Sequence, residues 1–343
     1  MRRDPVVLMA LISLTNICAL AGDKDSIVDL PKHAVEQSQL TLKGSRPFHL
    51  KARVVEATNL DNDRYKAEIE EYWLAPDKWR RALKTSEFSQ TLIVSGDKVS
   101  EQINGGYYPH WLNTIVNAIF DPGAALQGVD MSKSADNPMI GGTKFCRRFA
   151  FRAGIPPVGN NVFSTFCFDG SLLDSVGKPG YDAEYGNYKK FAEKQVARKI
   201  REYIESGTEL EATIYELNEL GAPEESLFAI QEPTAQLQTV IVNEETIRGL
   251  SLSSPVMQWP TIQGGKSSGV LSIYLCIDRE GIVRETYPLN SDNPFMSDAA
   301  RKQVMSWRFK PASNAGVPVQ IESLLTFTYE TKIEPPAPRA KSH

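Results

Sequence analysis

The chain has 343 residues, enough for about two domains at roughly 100–200 residues each. Apolar residues make up 41% and charged residues 23%, the balance of a globular protein. A net charge of −4 with no long basic stretch argues against a nucleic-acid partner, because phosphate binding needs clustered Lys and Arg.

Arg2 and Arg3 precede an uncharged run from Val6 to Ala21, and Ala19-Leu20-Ala21 follows the small-x-small rule of signal peptidase. The run is about 16 residues, short for a membrane span of about 20. Residues 1–21 are therefore expected to be a cleaved signal peptide. An uncleaved anchor, leaving the protein membrane-associated, is the alternative. Export places Cys146, Cys167 and Cys276 in an oxidising compartment. No CxxC occurs, which removes zinc-ribbon and thioredoxin-like readings. Cys146 lies in KFCRRFAF and Cys167 in VFSTFCFD, with the turn-rich AGIPPVGNN between them. If these strands fold back symmetrically, 146 faces 167 and 148 faces 165, which makes a Cys146–Cys167 disulfide sterically reasonable. Two separate buried thiols are the alternative, and Cys276 is left over.

Residues 22–44 read as a polar leader with room for a short helix. From Pro47 the pattern is strand-like. FHLKARVV sets Phe48, Leu50, Ala52 and Val54 against His49, Lys51 and Arg53. YKAEIEEYWL alternates in the same way, after a turn at Leu60–Arg64. KWRRALK, FSQTLIV and KVSEQI continue an antiparallel meander with one wet face. In PHWLNTIVNAIF, Leu112, Ile115, Val116 and Ile119 share a stripe, which predicts a helix stopped by Pro122-Gly123. Residues 123–143 read as loop, followed by the Cys hairpin and SLLDSVG. Residues 185–204 have helical propensity, yet ARKIREYIESGTELEATIYEL also reads as two strands around Glu205–Thr208.

Residues 236–262 are rich in Ser, Gly and Pro and read as a linker. The GGKSSG there is no phosphate loop, since Pro260 stands where the Walker pattern needs Gly. In GVLSIYLCIDREGIVRE, Leu271, Ile273, Leu275 and Ile277 share one strand face before a tight turn at Asp278–Gly281. Asn293-Pro294 starts a helix with Met296, Ala300, Val304 and Trp307 as its apolar stripe. VPVQIESLLTFTYE closes the pattern as a last strand, with Val319, Ile321, Leu325, Phe327 and Tyr329 on one face.

Two resemblances follow. Strands, an interrupting helix, more strands, the phrase CFDGSLL and the stretch EYWLAPDKWR resemble the LolA/LolB-like fold, a curved antiparallel half-barrel around a helix, over residues 45–235. This resemblance favours strands from about residue 198. It implies a concave apolar face that accommodates acyl chains in the family, with Trp73, Trp79, Trp111 and Phe120 as candidate lining residues; ordinary core packing is the bland reading for each.

Residues 263–331, with Trp259-Pro260 just before them, are similar to the TonB C-terminal domain. The elements are Trp259-Pro260 at the family's Tyr-Pro, Gly269, IDREGIV at its Ile-Asp-x-x-Gly-x-Val, Asp298-Ala299-Ala300, WRFKPA from Trp307, and Gly316 to Val319. The resemblance implies a small α+β domain, a three-stranded antiparallel sheet with a helix. The whole chain is then α+β, with residues 332–343 as a disordered tail.

In the TonB family the last strand is an edge that pairs with a segment of an outer-membrane receptor. Here that edge would be Val319, Gln320, Ile321, Glu322, Ser323, Leu324, Leu325 and Thr326, with side chains such as Gln320 and Thr326 free to vary. A TonB energy transducer has an uncleaved, His-containing anchor and a long Pro-rich spacer, and this chain has neither, so direct coupling to the proton gradient is not expected.

The four histidines, His33, His49, His110 and His343, show no metal-ligand spacing, and HExxH, GxSxG and GxGxxG are absent. The expectation is a periplasmic, non-enzymatic interaction protein without cofactor or metal. It would bind an outer-membrane receptor or another envelope protein by strand addition, in service of transport across the outer membrane. The alternative is a lipid or lipoprotein carrier built on the half-barrel.

Overall fold

In the computed structural model, which describes residues 24–126, 129–136, 144–151, 163–178, 181–205, 208–230, 238–253, 256–262, 265–291 and 293–333, the alternating N-terminal segments join in one antiparallel sheet of 12 strands. Helix α1 (Lys24–Ser38) precedes β1 (Phe48–Glu56), β2 (Ala67–Ala75), β3 (Lys78–Lys84), β4 (Ser89–Ser95) and β5 (Lys98–Asn104). Helix α2 (His110–Phe120) leads to β6 (Val129–Asp136), β7 (Lys144–Phe151), β8 (Phe163–Asp169), β9 (Leu172–Lys178), β10 (Tyr181–Phe191), β11 (Lys194–Glu205) and β12 (Thr208–Glu219). The spatial order is β5-β4-β3-β2-β1-β12-β11-β10-β9-β8-β7-β6.

All neighbours but one are consecutive in sequence. The exception is the seam of β1 with β12, where Phe48 faces Glu219 and Glu56 faces Leu210. Because β5 and β6 are the two outer edges, α2 connects opposite ends of the sheet. Its stripe of Trp111, Leu112, Ile115, Val116, Ile119 and Phe120 is no more than 4% exposed. One core cluster joins this stripe to residues of β1, β2, β3 and β7 to β12, so the sheet curls around the helix.

The short helix expected in the leader is α1, which packs on β6, β9 and β11, with Ala34, Val35 and the following Leu40 buried. Two expectations change here. Residues 129–136 form β6 and not loop. An edge strand pairs through its backbone, so VDMSKSAD needs no apolar alternation to join β7. Residues 181–191 and 194–205 are strands β10 and β11, including the part with helical propensity, because they pair with each other and with β9 and β12, and Tyr185, Phe191, Val196, Ile200 and Ile204 are buried.

The rest of the chain forms β13 (Thr239–Val242), α3 (Glu244–Leu250), β14 (Ser251–Ser253), β15 (Ser268–Ile277), β16 (Val283–Ser291), α4 (Pro294–Val304), β17 (Arg308–Phe309), β18 (Ala312–Asn314) and β19 (Val317–Glu330). The expected linker thus carries β13, α3 and β14. The C-terminal sheet has five strands and not three: β13-β19-β15-β16 in order, with β18 also on β19. β13 lies parallel to β19, which short-range alternation could not reveal.

Helix α4 begins where Asn293-Pro294 predicts, and the Asn293 side chain accepts from Phe295 N at 3.1 Å. Trp307 is 4% exposed and packs edge-on to Phe327, with ring centroids 5.9 Å apart. The turn after β15 is held by Asp278 Oδ1, which accepts from Glu280 N at 3.0 Å and Ile282 N at 2.9 Å. Gly281 follows at φ +81°, and a Cβ there would strike the Phe309 carbonyl oxygen.

The expected signal peptide and the tail beyond residue 333 lie outside the described residues. Among the described residues no helix is long and apolar enough to cross a membrane.

Candidate functional site

Alternation gives β15 two working faces. Leu271, Ile273, Leu275 and Ile277 meet the α4 side, in one cluster with Val304 and Trp307. The other face carries Tyr274 and Cys276. In register beside them stand Glu285 and Tyr287 of β16 and Glu322 of β19. This second face is covered by the curled sheet: Cys276 and Tyr287 belong to that sheet's core cluster. The contact segment is Tyr107–Trp111, which leads into α2.

The start of α2 explains why carboxylates sit opposite it. Its N-cap is Pro109, whose side chain caps nothing, so the first amides need outside acceptors. Glu285 supplies them. Its Oε1 accepts from His110 N at 2.7 Å and from the Tyr107 hydroxyl, and its Oε2 accepts from Trp111 N at 3.2 Å and from the Tyr287 hydroxyl. A carboxylate here also meets the positive end of the helix dipole.

Next to it, His110 Nδ1 lies 3.2 Å from Glu322 Oε1, and Tyr274 donates to Glu322 Oε2. The His110 ring sits between Tyr274 and Tyr287, each 5.2 Å away by centroid. Gln320 completes the clamp. Its Oε1 accepts from Tyr108 N and its Nε2 donates to Tyr108 O, both at 3.1 Å.

The electrostatics are those of a buried ion pair with acidic neighbours. Burial lowers the His110 pKa, but the hydrogen bond and charge of Glu322 outweigh it and the net shift is upward. Burial raises Glu322, but His110 and the Tyr274 hydroxyl outweigh it and the net shift is downward. The two directions agree on a charged pair. Behind them Glu202 accepts from Thr114 Oγ1 at 2.9 Å, and burial pushes its carboxyl up to about 8. Burial, then the charge of Glu285, hold the Tyr107 and Tyr287 hydroxyls and the Cys276 thiol well above their ordinary values.

The eight residues expected to form a receptor-binding edge are not a free edge. β15 occupies one side of β19 from Ile321 to Glu330. β18 pairs with Val317 to Val319, and on the side away from β15, β13 pairs with Gln320, Ile321, Glu322 and Ser323. Beyond Leu324 and Leu325, Thr326 N donates to Glu244 Oε1 at 3.1 Å and Thr326 O accepts from Arg248 Nη2 at 2.8 Å. The side chains thought free to vary are engaged as well, since Gln320 is 2% exposed and clamps Tyr108.

The four aromatics proposed to line an apolar cavity are packed instead. Trp73 stacks on Phe48 at 5.5 Å, Trp111 meets Tyr65 at 5.7 Å, and the Arg81 guanidinium covers Phe120 at 4.2 Å and Trp79 at 5.2 Å. Arg81 also pairs with the fully buried Glu71. None of the four lines the cavity of about 240 Å³ beside Leu40 and Phe191 or that of about 300 Å³ beside Arg80 and Ile93.

Cys146 and Cys167 are joined by a disulfide, and the register has Cys146 opposite Cys167 and Arg148 opposite Thr165. Cys276 is free and buried. Sequence reasoning missed the cluster of His110, Cys276, Glu285 and Glu322. The signals were an odd cysteine and the one charge, Glu322, inside an apolar strand. Nothing local links either of them to His110.

No family model matches the sequence, and no curated protein matches it either. Among solved structures the chain is similar to a candidate outer membrane lipoprotein-sorting protein domain from Vibrio parahaemolyticus, at 9% identity and TM-score 0.34, over 60% of this chain and 97% of that one. It is also similar to a LolA superfamily protein from Nitrosomonas europaea, at 6% identity and TM-score 0.33, over 59% and 97%. A third is a DUF1329 family protein from Desulfovibrio piger, at 7% identity and TM-score 0.36, over 60% and 96%.

Proposed function

We propose that the protein is a non-enzymatic carrier of the cell envelope, which takes an acyl chain, from a lipid or the lipid part of a lipoprotein, into the curled sheet. One observation carries this reading: the sheet's inner wall is apolar, and what fills it is helix and not a second sheet. Phe48, Leu50, Ala52 and Val54 of β1 are no more than 1% exposed and share a cluster with the α2 stripe. A helix fills such a space with side chains alone and gives no backbone hydrogen bonds to the wall, so it can shift without breaking a strand pairing.

Helix α1 is the more movable filling. It holds Pro31 in its interior, which removes a helical hydrogen bond. The cavity beside its end joins apolar Leu40, Leu42 and Phe191 to Lys43, Arg46 and Lys194, with Glu193 as its one acidic member, a net-positive lining suited to an acyl chain with an anionic headgroup. In this reading the C-terminal module, TonB-like by its motifs, is a fixed cap that holds the start of α2. Receptor binding through β19 is not part of it, since that edge is occupied.

The test is to extract lipid from protein purified out of the envelope fraction, and then to add a brominated fatty acid to the delipidated chain. Co-purifying acyl lipids and saturable quenching of Trp73 and Trp111 fluorescence are expected. Absence of both overturns the reading.

A further inference from the structure

We propose that His110, Cys276 and Glu322 form a binding site for one divalent cation of the zinc type, bridging the curled sheet and the C-terminal module. One ligand atom from each, an imidazole nitrogen, the thiol sulfur and a carboxylate oxygen, lies within 4.8 Å of the other two. Cys276 and Glu322 are cross-strand partners on β15 and β19, so their side chains leave the same face side by side. His110 comes from the first turn of α2 on the other side of the contact.

The donor set selects the metal. Sulfur, imidazole and carboxylate together suit zinc, whereas magnesium and calcium prefer all-oxygen sites. Three protein ligands leave a fourth tetrahedral position open. Bond lengths of about 2.0–2.3 Å put neighbouring ligand atoms roughly 3.3–3.8 Å apart, so the cluster needs to contract by about an ångström at its widest. The His110 Nδ1 to Glu322 Oε1 separation of 3.2 Å is already at that spacing.

The surroundings favour a cation. Tyr274 donates to Glu322 Oε2, which orients the carboxylate and leaves Oε1 for the metal. Glu285 adds a second buried carboxylate on the same face. Binding displaces the Cys276 thiol proton to solvent, and the imidazole proton where the ring is charged. A metal–thiolate bond replaces the S–H bond, and nothing is oxidised or reduced. The inference does not depend on the carrier reading: it concerns the contact between the two bodies and not the interior of the sheet.

The experiment uses the full chain, stripped with a chelator and titrated with Co²⁺ and then Zn²⁺. One equivalent of Co²⁺ should produce a thiolate-to-cobalt charge-transfer band that Zn²⁺ removes, and Zn²⁺ should raise the melting temperature. Cys276→Ser should abolish the band and weaken Zn²⁺ binding at least about tenfold, and His110→Gln should weaken it similarly. Far-ultraviolet circular dichroism checks that each variant folds; His110→Gln keeps a donor toward Glu322, so it serves where Cys276→Ser does not fold. No charge-transfer band in the parent chain, or Zn²⁺ binding unchanged in the folded variants, overturns the proposal.

Discussion

Glu285→Ala tests the idea that the C-terminal module caps α2. The carboxylate accepts four hydrogen bonds, from His110 N, Trp111 N, Tyr107 and Tyr287. Loss of a helix cap costs about 1 kcal/mol and up to about 2. Each tyrosine hydroxyl left without an acceptor in a buried place costs about 1–3 kcal/mol, less where water enters the vacated volume. The expected loss is therefore roughly 3–5 kcal/mol, near the upper end for a single substitution. Glu285→Gln keeps one acceptor oxygen but points an NH₂ at donors, and should lose about half as much. Guanidinium unfolding in metal-free buffer measures the loss, and hydrogen exchange at the His110 and Trp111 amides locates it. A loss under about 1 kcal/mol, with those amides still protected, would mean that α2 is capped by other means and that the contact is adventitious.

Four further outcomes are expected. Glu202, whose ordinary value is 4.5, titrates near 8 when folded, so the fold holds a proton that the unfolded chain releases between those values. Stability should fall as pH rises through that window, and Glu202→Gln should flatten a metal-free plot of melting temperature against pH; an unchanged slope refutes the assignment. His110 favours the charged carboxyl there, whereas Glu285 and Asp182 oppose it. Gly281→Ala drives a methyl group into the Phe309 carbonyl at a positive φ and should prevent the C-terminal module from folding normally, read by loss of near-ultraviolet signal from Trp307. Trp307→Ala should cost about 3–5 kcal/mol in denaturant unfolding, and a loss under about 1 would place the ring at the surface. Replacing Cys146 and Cys167 together with Ala should cost about 2–4 kcal/mol, measured against the oxidised parent.

Much of the architecture was readable because it is written in short-range periodicity. The hairpins from β1 to β5 and the Asn293-Pro294 helix start rest on residues a few positions apart, and the disulfide register follows from two turn-linked segments folding back across a separation of 21 residues. Trp307 is buried as expected but lies just beyond the end of α4 at Val304 and not on the helix stripe. The readings that changed depend on long-range partners. β6 is a strand because β7 needs a neighbour, and β13 is a strand because β19 has a vacant side; neither stretch alternates clearly. The polar cluster was invisible for the same reason. Glu322 in isolation looks like edge protection, and His110 like a lone histidine in a helix. Only the folded chain brings them to within 3.2 Å of each other.

The seam between β1 and β12 also bears on how fast the molecule assembles. Every other contact in the curled sheet closes a turn between consecutive strands, a step of microseconds for a hairpin. The seam pairs Phe48 with Glu219, so nearly the whole first body lies in the loop it closes. Closing it costs entropy that local pairing does not recover until both halves are in place, and chains dominated by such contacts fold in milliseconds to seconds. The two meanders should therefore form early and wait for each other, and mutations at the seam should slow folding more than equally destabilising ones within a hairpin.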